Sequence, residues 1–261
     1  MLFPKTMRLR QYYREYDAGL SEAPPQKRED RLGYEKLASL LARFAPAEGA
    51  RPRVLDIGCA AGVLAGFLEP GAYVLFGLEL NLDLARRAAE RHHGVVLADL
   101  EDPWPLADGG VEVVVARAVL EHVFDYHHLL NEANRVLASE GLLLVEVPNL
   151  GYWRDVRRLL LGKHPHWARS MQHLHVWTKR FLCDLLEAHG FGRLWVDCDR
   201  LRLPFFRKLS WSWLERVWAR WGNMLIVVSR KVRRAQVVDS RVARRYGKKK
   251  HLNRRWVEVL R

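Results

Sequence analysis

A chain of 261 residues, 49% of them hydrophobic, is long enough to bury a substantial core, and one α/β domain with appended segments fits it better than two full domains. Its three cysteines, Cys59, Cys183 and Cys198, lie far apart and form no C-x-x-C pair, which argues against a disulfide framework and fits a reduced, cytoplasmic setting. The formal charge of +13 is unevenly placed: residues 51–150 carry 15 Asp and Glu against 7 Lys and Arg, whereas residues 229–261 carry 13 Lys and Arg against 2 acids.

The N-terminus is charged from Lys5 onward and lacks the apolar core of a signal peptide, and no apolar run approaches a bilayer-spanning length, so a soluble protein is expected. Residues 1–30 are polar and broken by Gly19, Pro24 and Pro25, which predicts a mobile arm. Leu32, Leu37, Leu40, Leu41 and Phe44 then recur at helical spacing. After Pro46 and Gly49 the pattern becomes regular: strand 53–56, helix 63–68, strand 73–78, helix 82–92 and strand 95–98. This βαβαβ alternation predicts parallel strands. It continues with strand 111–116, helix 126–137, on whose apolar face lie Leu129, Leu130, Ala133 and Leu137, and strand 142–147.

Beyond Pro148 the stretch from Gly151 to Thr178 is rich in His, Arg and Trp and lacks strand alternation, so it reads as an irregular insertion over the site. Helix 179–189 and strand 194–199 follow. Over 204–221 the residues Phe206, Leu209, Trp213, Val217, Trp218 and Trp221 share one helical face, before a last strand at 223–229. The expected organisation is an N-terminal arm and helix over 1–50, a main domain over 51–229 with substrate-side insertions at 151–178 and 204–221, and a basic tail over 230–261.

The chemistry is concentrated in Val54-Leu55-Asp56-Ile57-Gly58-Cys59-Ala60-Ala61-Gly62, where an apolar strand meets a helix through a glycine turn that opens with a carboxylate. A pyrophosphate at the helix N-terminus would be repelled by Asp56, which argues against a dinucleotide. S-adenosylmethionine carries a sulfonium and an ammonium and no phosphate, so an acid at that strand end favours it. Glu79, 23 residues on and at the end of the next strand, can accept both ribose hydroxyls, and Asp99, ending the third, can accept from the adenine amino group. Ligands of open parallel sheets bind beyond the carboxyl ends of the strands, so the three acids face one crevice.

On these residues the chain resembles the class I S-adenosylmethionine-dependent methyltransferases over roughly residues 50–200. Within them, Leu120-Glu121-His122-Val123 resembles the type 11, UbiG-like quinone-biosynthesis and small-molecule branch, while Pro148-Asn149-Leu150-Gly151-Tyr152-Trp153-Arg154, Leu159-Leu160-Leu161-Gly162-Lys163 and His173-Leu174-His175 resemble the MetW group. The resemblance implies a Rossmann-like, doubly wound α/β fold with a seven-stranded mixed sheet in the order 3-2-1-4-5-7-6 and helices on both faces. It implies that Asp56, Gly58, Cys59, Ala60 and Gly62 line the methionine end, Glu79 and Leu80 the ribose, Asp99 and Leu100 the adenine, and Ala116 and Arg117 the cofactor beside the substrate. Ala60 stands where the family has the middle glycine of its motif, for which a slightly tighter turn is expected without loss of binding.

Methyl transfer from a sulfonium is an in-line displacement dominated by alignment and exclusion of water, and a base is needed only for a protonated nucleophile. His122 is the first candidate for that base and His175 the second, each weighed against a purely structural role. Among His164, His166, His173 and His175 the sequence sets no Cys or carboxylate at ligand spacing, so no metal is expected. The expected acceptor is a small or lipid-like molecule. The basic tail offers peripheral contact with an anionic membrane or with nucleic acid, and oligomeric state is not legible. Two other readings stay open: a partner protein of a methionine-biosynthesis acyltransferase, implied by the MetW-like residues, and an RNA methyltransferase recruited by the tail. The latter is disfavoured because the chain lacks the Asn/Asp-Pro-Pro-aromatic motif after the fourth strand.

Overall fold

The computed structural model describes residues 28–45, 51–169, 173–199 and 218–234. The N-terminal arm, most of the aromatic 204–221 segment and the basic tail beyond Arg234 lie outside the described residues.

Seven strands form one sheet: β1 (Arg53–Ile57), β2 (Val74–Glu79), β3 (Gly94–Leu97), β4 (Val111–Arg117), β5 (Leu137–Pro148), β6 (Phe191–Cys198) and β7 (Met224–Lys231). Their order is β3-β2-β1-β4-β5-β7-β6, as expected. The first five pair in parallel, and β7 runs antiparallel to both β5 and β6. Among the described residues five α-helices accompany them: α1 (Arg28–Phe44), α2 (Leu82–Ala89), α3 (Tyr126–Val136), α4 (Trp153–Leu160) and α5 (Lys179–Ala188).

The strands are apolar on both sides because the sheet is covered on both faces. Leu55, Ile57, Val114, Ala116, Leu143 and Val145 point to the face packed by Leu129, Leu130, Ala133 and Val136 of α3 and Leu182, Leu185 and Leu186 of α5. Their neighbours Val54, Val113, Val115, Leu142 and Leu144 point to the opposite face, where Leu37, Leu40 and Leu41 of α1 close the core. Leu37 and Leu41 are fully buried, so truncating either to alanine should cost about 2–5 kcal/mol. The helix predicted from leucine spacing thus packs on one face of the sheet.

Three expectations need correction. The segment after the glycine turn is a five-residue 3-10 helix, Val63–Phe67, in place of an α-helix, because Gly62 enters it with φ 72° and no capping side chain starts a longer one. The insertion 151–178 contains α4, whose charged and leucine residues do not match the half-buried helical pattern since most of them face solvent. Strand β5 begins at Leu137, five residues before the apolar run, through a bulge in which Glu140 adopts φ 60°.

Candidate active site

The turn after β1 is built from left-handed residues. Gly58 has φ 63° and Gly62 has φ 72°, and a side chain on Gly58 would meet Val119 Cγ2 at 2.8 Å. Ala60 has φ 48°, so its methyl group does more than tighten the turn: it places an L-residue in a conformation that costs about 1 kcal/mol. The turn is held by β2. Gly58 and Cys59 N–H donate to the Leu78 carbonyl at 2.8 and 3.2 Å, and Ala60 N–H donates to Glu79 Oε2 at 2.8 Å.

Glu79 does two jobs in this arrangement. Its Oε1 accepts from Leu80 N–H and Asn81 N–H, both at 2.8 Å, fixing the chain as it enters α2, and the carboxylate is buried at the strand end. Asn81 then caps α2, accepting from Asp83 N–H at 2.9 Å and Leu84 N–H at 3.1 Å. Asp99 is also buried and accepts from Glu101 N–H at 3.0 Å, while Leu100 packs against the core beside it.

Asp56, the residue on which the cofactor reading turned, is buried, and burial pushes its carboxyl pKa up while His92 and Arg117 pull it down. His92 Nε2 lies 3.7 Å from Asp56 Oδ2. The site therefore opens on a desolvated carboxylate, and a cation brought to it regains solvation that the protein withholds. Cys59 is buried beneath the turn with its thiol pKa raised by burial and by Asp56 and Glu79, so it is an unreactive packing group.

The far wall is set by the ends of β4 and β5, where Ala116 is fully buried. Arg117 Nε pairs with Glu146 Oε2 at 2.9 Å, and its guanidinium covers the ring of Tyr34 from α1 at 3.9 Å. Burial pushes the Tyr34 phenol up to about 12. Gly33 permits this approach, since a side chain there would come within 2.8 Å of Glu146 Oε1. Tyr34, His92 and Glu146 were not singled out from the sequence. Tyr34 sits among ordinary helix residues, and only packing reveals which strand end it reaches.

The structure also gathers what the sequence kept apart after β4. Leu174 N–H donates to the Glu121 carbonyl at 2.7 Å and His175 N–H at 3.3 Å, tying the insertion to the loop that carries Glu121 and His122. The rings of His122 and His173 meet edge to face at 5.0 Å, and His175 packs edge-on against Tyr126 at 4.8 Å. His175 Nε2 is buried without a hydrogen-bond partner. Glu121 is 1% exposed, neither of its carboxylate oxygens has a side-chain hydrogen-bond partner among the described residues, and burial pushes its pKa up to about 8. Thus the carboxylate missing from the local histidine sequence arrives from about 50 residues away. By contrast His166 is taken by Asp155, with Nδ1 2.6 Å from Oδ1.

A methyltransferase domain model matches residues 27–193, from the start of α1 into β6. The chain belongs to that family. A probable S-adenosylmethionine-dependent methyltransferase of Mycolicibacterium smegmatis is 32% identical over 179 residues, 66% of this chain and 62% of that protein. A ubiquinone biosynthesis O-methyltransferase of Rhodopseudomonas palustris is 29% identical, covering 59% of this chain and 62% of its own length. The chain spans between 39% and 62% of the length of these and the similar Mycobacterium tuberculosis relatives. Among solved structures, the complex of the Haloferax volcanii Trm112 methyltransferase activator with a methyltransferase contains a chain of the same fold: TM-score 0.60 at 21% identity, covering 84% of this chain and 98% of that one. An S-adenosylmethionine-dependent methyltransferase of Thermotoga maritima gives 0.58 at 18% identity, covering 85% and 97%.

S-adenosylmethionine is the cofactor that goes with this family, and the residues present fit it. A buried acid stands at the end of β1, Glu79 ends β2, Asp99 follows β3 by two residues, and the glycine turn has no room for side chains at Gly58. No helix among the described residues is long and apolar enough to cross a membrane.

Proposed function

We propose that this chain transfers the methyl group of S-adenosylmethionine to a small or lipid-like acceptor. The observation that carries this is the desolvated Asp56 carboxylate at the head of the glycine turn, with Glu79 ending β2 and Asp99 following β3 by two residues. Asp56, Gly58, Cys59, Ala60 and Gly62 bind the methionine end, Glu79 and Leu80 the ribose, Asp99 and Leu100 the adenine, and Ala116 and Arg117 flank the cofactor on the acceptor side. The cofactor supplies an activated methyl group; the protein aligns the acceptor and excludes water. In this reading His122, with His175 as the second candidate, takes the acceptor's proton as the bond to carbon forms and the carbon–sulfur bond breaks. The relatives named above are methyltransferases, which does not favour the partner-protein reading.

Calorimetry tests the cofactor half of this reading. S-adenosylmethionine should bind and NADH should not, and Asp56→Asn should weaken the former by roughly tenfold, the loss of one charge-assisted contact. Tight NADH binding would overturn it. Transfer of labelled methyl from the cofactor into fractionated cell extract tests the acceptor half, and label confined to RNA would replace the small-molecule acceptor with a nucleic acid.

A further inference from the structure

Glu121 is a buried acid, and among the described residues neither of its carboxylate oxygens has a side-chain hydrogen-bond partner. The Arg117 guanidinium acts on it only through space and is already paired with Glu146. Such a group is retained when something else supplies its partner.

The groups around it are metal ligands. One ligand atom from each of Glu121, His122 and His173 lies within 4.8 Å of the others, and His122 Nε2 is 4.0 Å from Glu121 Oε1. Three ligands on a tetrahedral ion at about 2.05 Å would stand about 3.4 Å apart, a contraction within the reach of side-chain rotation. His173 is already oriented for ligation. Its Nδ1 faces the Trp167 carbonyl at 3.1 Å, which can only accept, so the proton sits on Nδ1 and the Nε2 lone pair is left for a metal. The backbone bonds from Leu174 and His175 to the Glu121 carbonyl hold the two halves of the cluster together.

We propose that Glu121, His122 and His173 bind one divalent transition cation of the zinc class, with a coordination position left open. Two imidazole nitrogens select against magnesium and calcium, which demand oxygen ligands, and three protein ligands leave room for a fourth. One carboxylate leaves the site with a net positive charge, so the open position takes an oxygen, from water or from an acceptor hydroxyl. That last role rests on the methyl-transfer reading. In the loaded protein the cation lowers the hydroxyl's pKa, His122 serves as its ligand, and His175 is left to receive the proton.

The test uses the full chain, freed of metal by a chelator and titrated with cobalt(II), whose visible absorption reports nitrogen and oxygen ligation, and with zinc(II) by calorimetry. One equivalent of either should bind. Glu121→Gln and His173→Ala should each weaken binding by roughly tenfold or more. Glu121→Gln should also raise the thermal midpoint of the metal-free protein, since it removes an uncompensated buried acid, while zinc should raise the midpoint of the unmodified chain and not of the variant. Failure of the unmodified chain to take up cobalt, or uptake unchanged in both variants, would overturn the site. S-adenosylmethionine binding is measured separately on the same samples, so loss of the metal site and loss of the methyl-transfer reading give different results.

Discussion

The guanidinium of Arg117 lies 3.9 Å from the centroid of the Tyr34 ring, joining α1 to the carboxyl end of β4. Arg117 is held on its other side by Glu146, so α1 serves as the plate against which the guanidinium is fixed. Tyr34→Phe keeps the stacking face and should change cofactor affinity little. Tyr34→Ala removes a contact worth about 0.5–2 kcal/mol and should weaken S-adenosylmethionine binding severalfold in a calorimetric titration. Equal affinity in all three proteins would show that Arg117 needs no support from α1.

Ala60 adopts φ 48° where glycine is free of strain. Ala60→Gly should therefore stabilise the protein by about 0.5 kcal/mol, the relief of left-handed strain less the added entropy of the unfolded chain. A urea titration decides it: a fall of about 1 kcal/mol, as for glycine placed in a helix, would mean that the turn stores no strain.

Gly77 in β2 has Cys59 Sγ 2.6 Å from where its own Cβ would stand. Gly77→Ala should cost about 1–3 kcal/mol by overpacking. Combining it with Cys59→Ala removes the sulfur and should recover most of that loss. A double-mutant cycle with no coupling would place the strain elsewhere.

His127 Nδ1 and His189 Nε2 lie 3.0 Å apart, and His189 Nδ1 faces the Leu185 carbonyl at 2.8 Å. The carbonyl forces the His189 proton onto Nδ1, so Nε2 accepts from His127 and a doubly protonated His189 would break the pair. Burial is the main cause pushing His189 down to about 4; His127 adds to the shift, while the Leu185 carbonyl and Asp125 oppose it. Because the folded value lies below the unfolded value of about 6.5, this stability is fully present above pH 6.5 and is lost as pH falls from there towards 4. Between pH 7 and pH 5 the loss should be on the order of 2 kcal/mol, and His189→Gln should flatten it. Denaturant midpoints at the two pH values check this, and an unchanged slope in the variant would remove His189 as the cause.

Much of the sheet's carboxyl edge was legible because it is local. A strand, a glycine turn and a helix in sequence place Asp56 at a strand end whatever surrounds them, and the parallel alternation carries Glu79 and Asp99 to the same edge. The acceptor side was not legible in this way. His122 and His175 were visible as candidates, but Glu121 was visible only as part of the Leu120-Glu121-His122-Val123 motif, with no role of its own, and Tyr34 looked like an ordinary helix residue. Helix α4 was missed because its leucines at 159 and 160 are exposed, leaving no buried apolar face for a pattern to reveal.

By itself the sequence determined the order of elements, the acids at the strand ends and the cofactor they suit, since apolar periodicity and turn chemistry act over a few residues. The tertiary structure decided which distant groups share a desolvated space: Tyr34 with Arg117, Glu121 with His122 and His173, His127 with His189. Burial and mutual distance set the charge and protonation of those groups, and both arise only when the sheet is closed on its two faces.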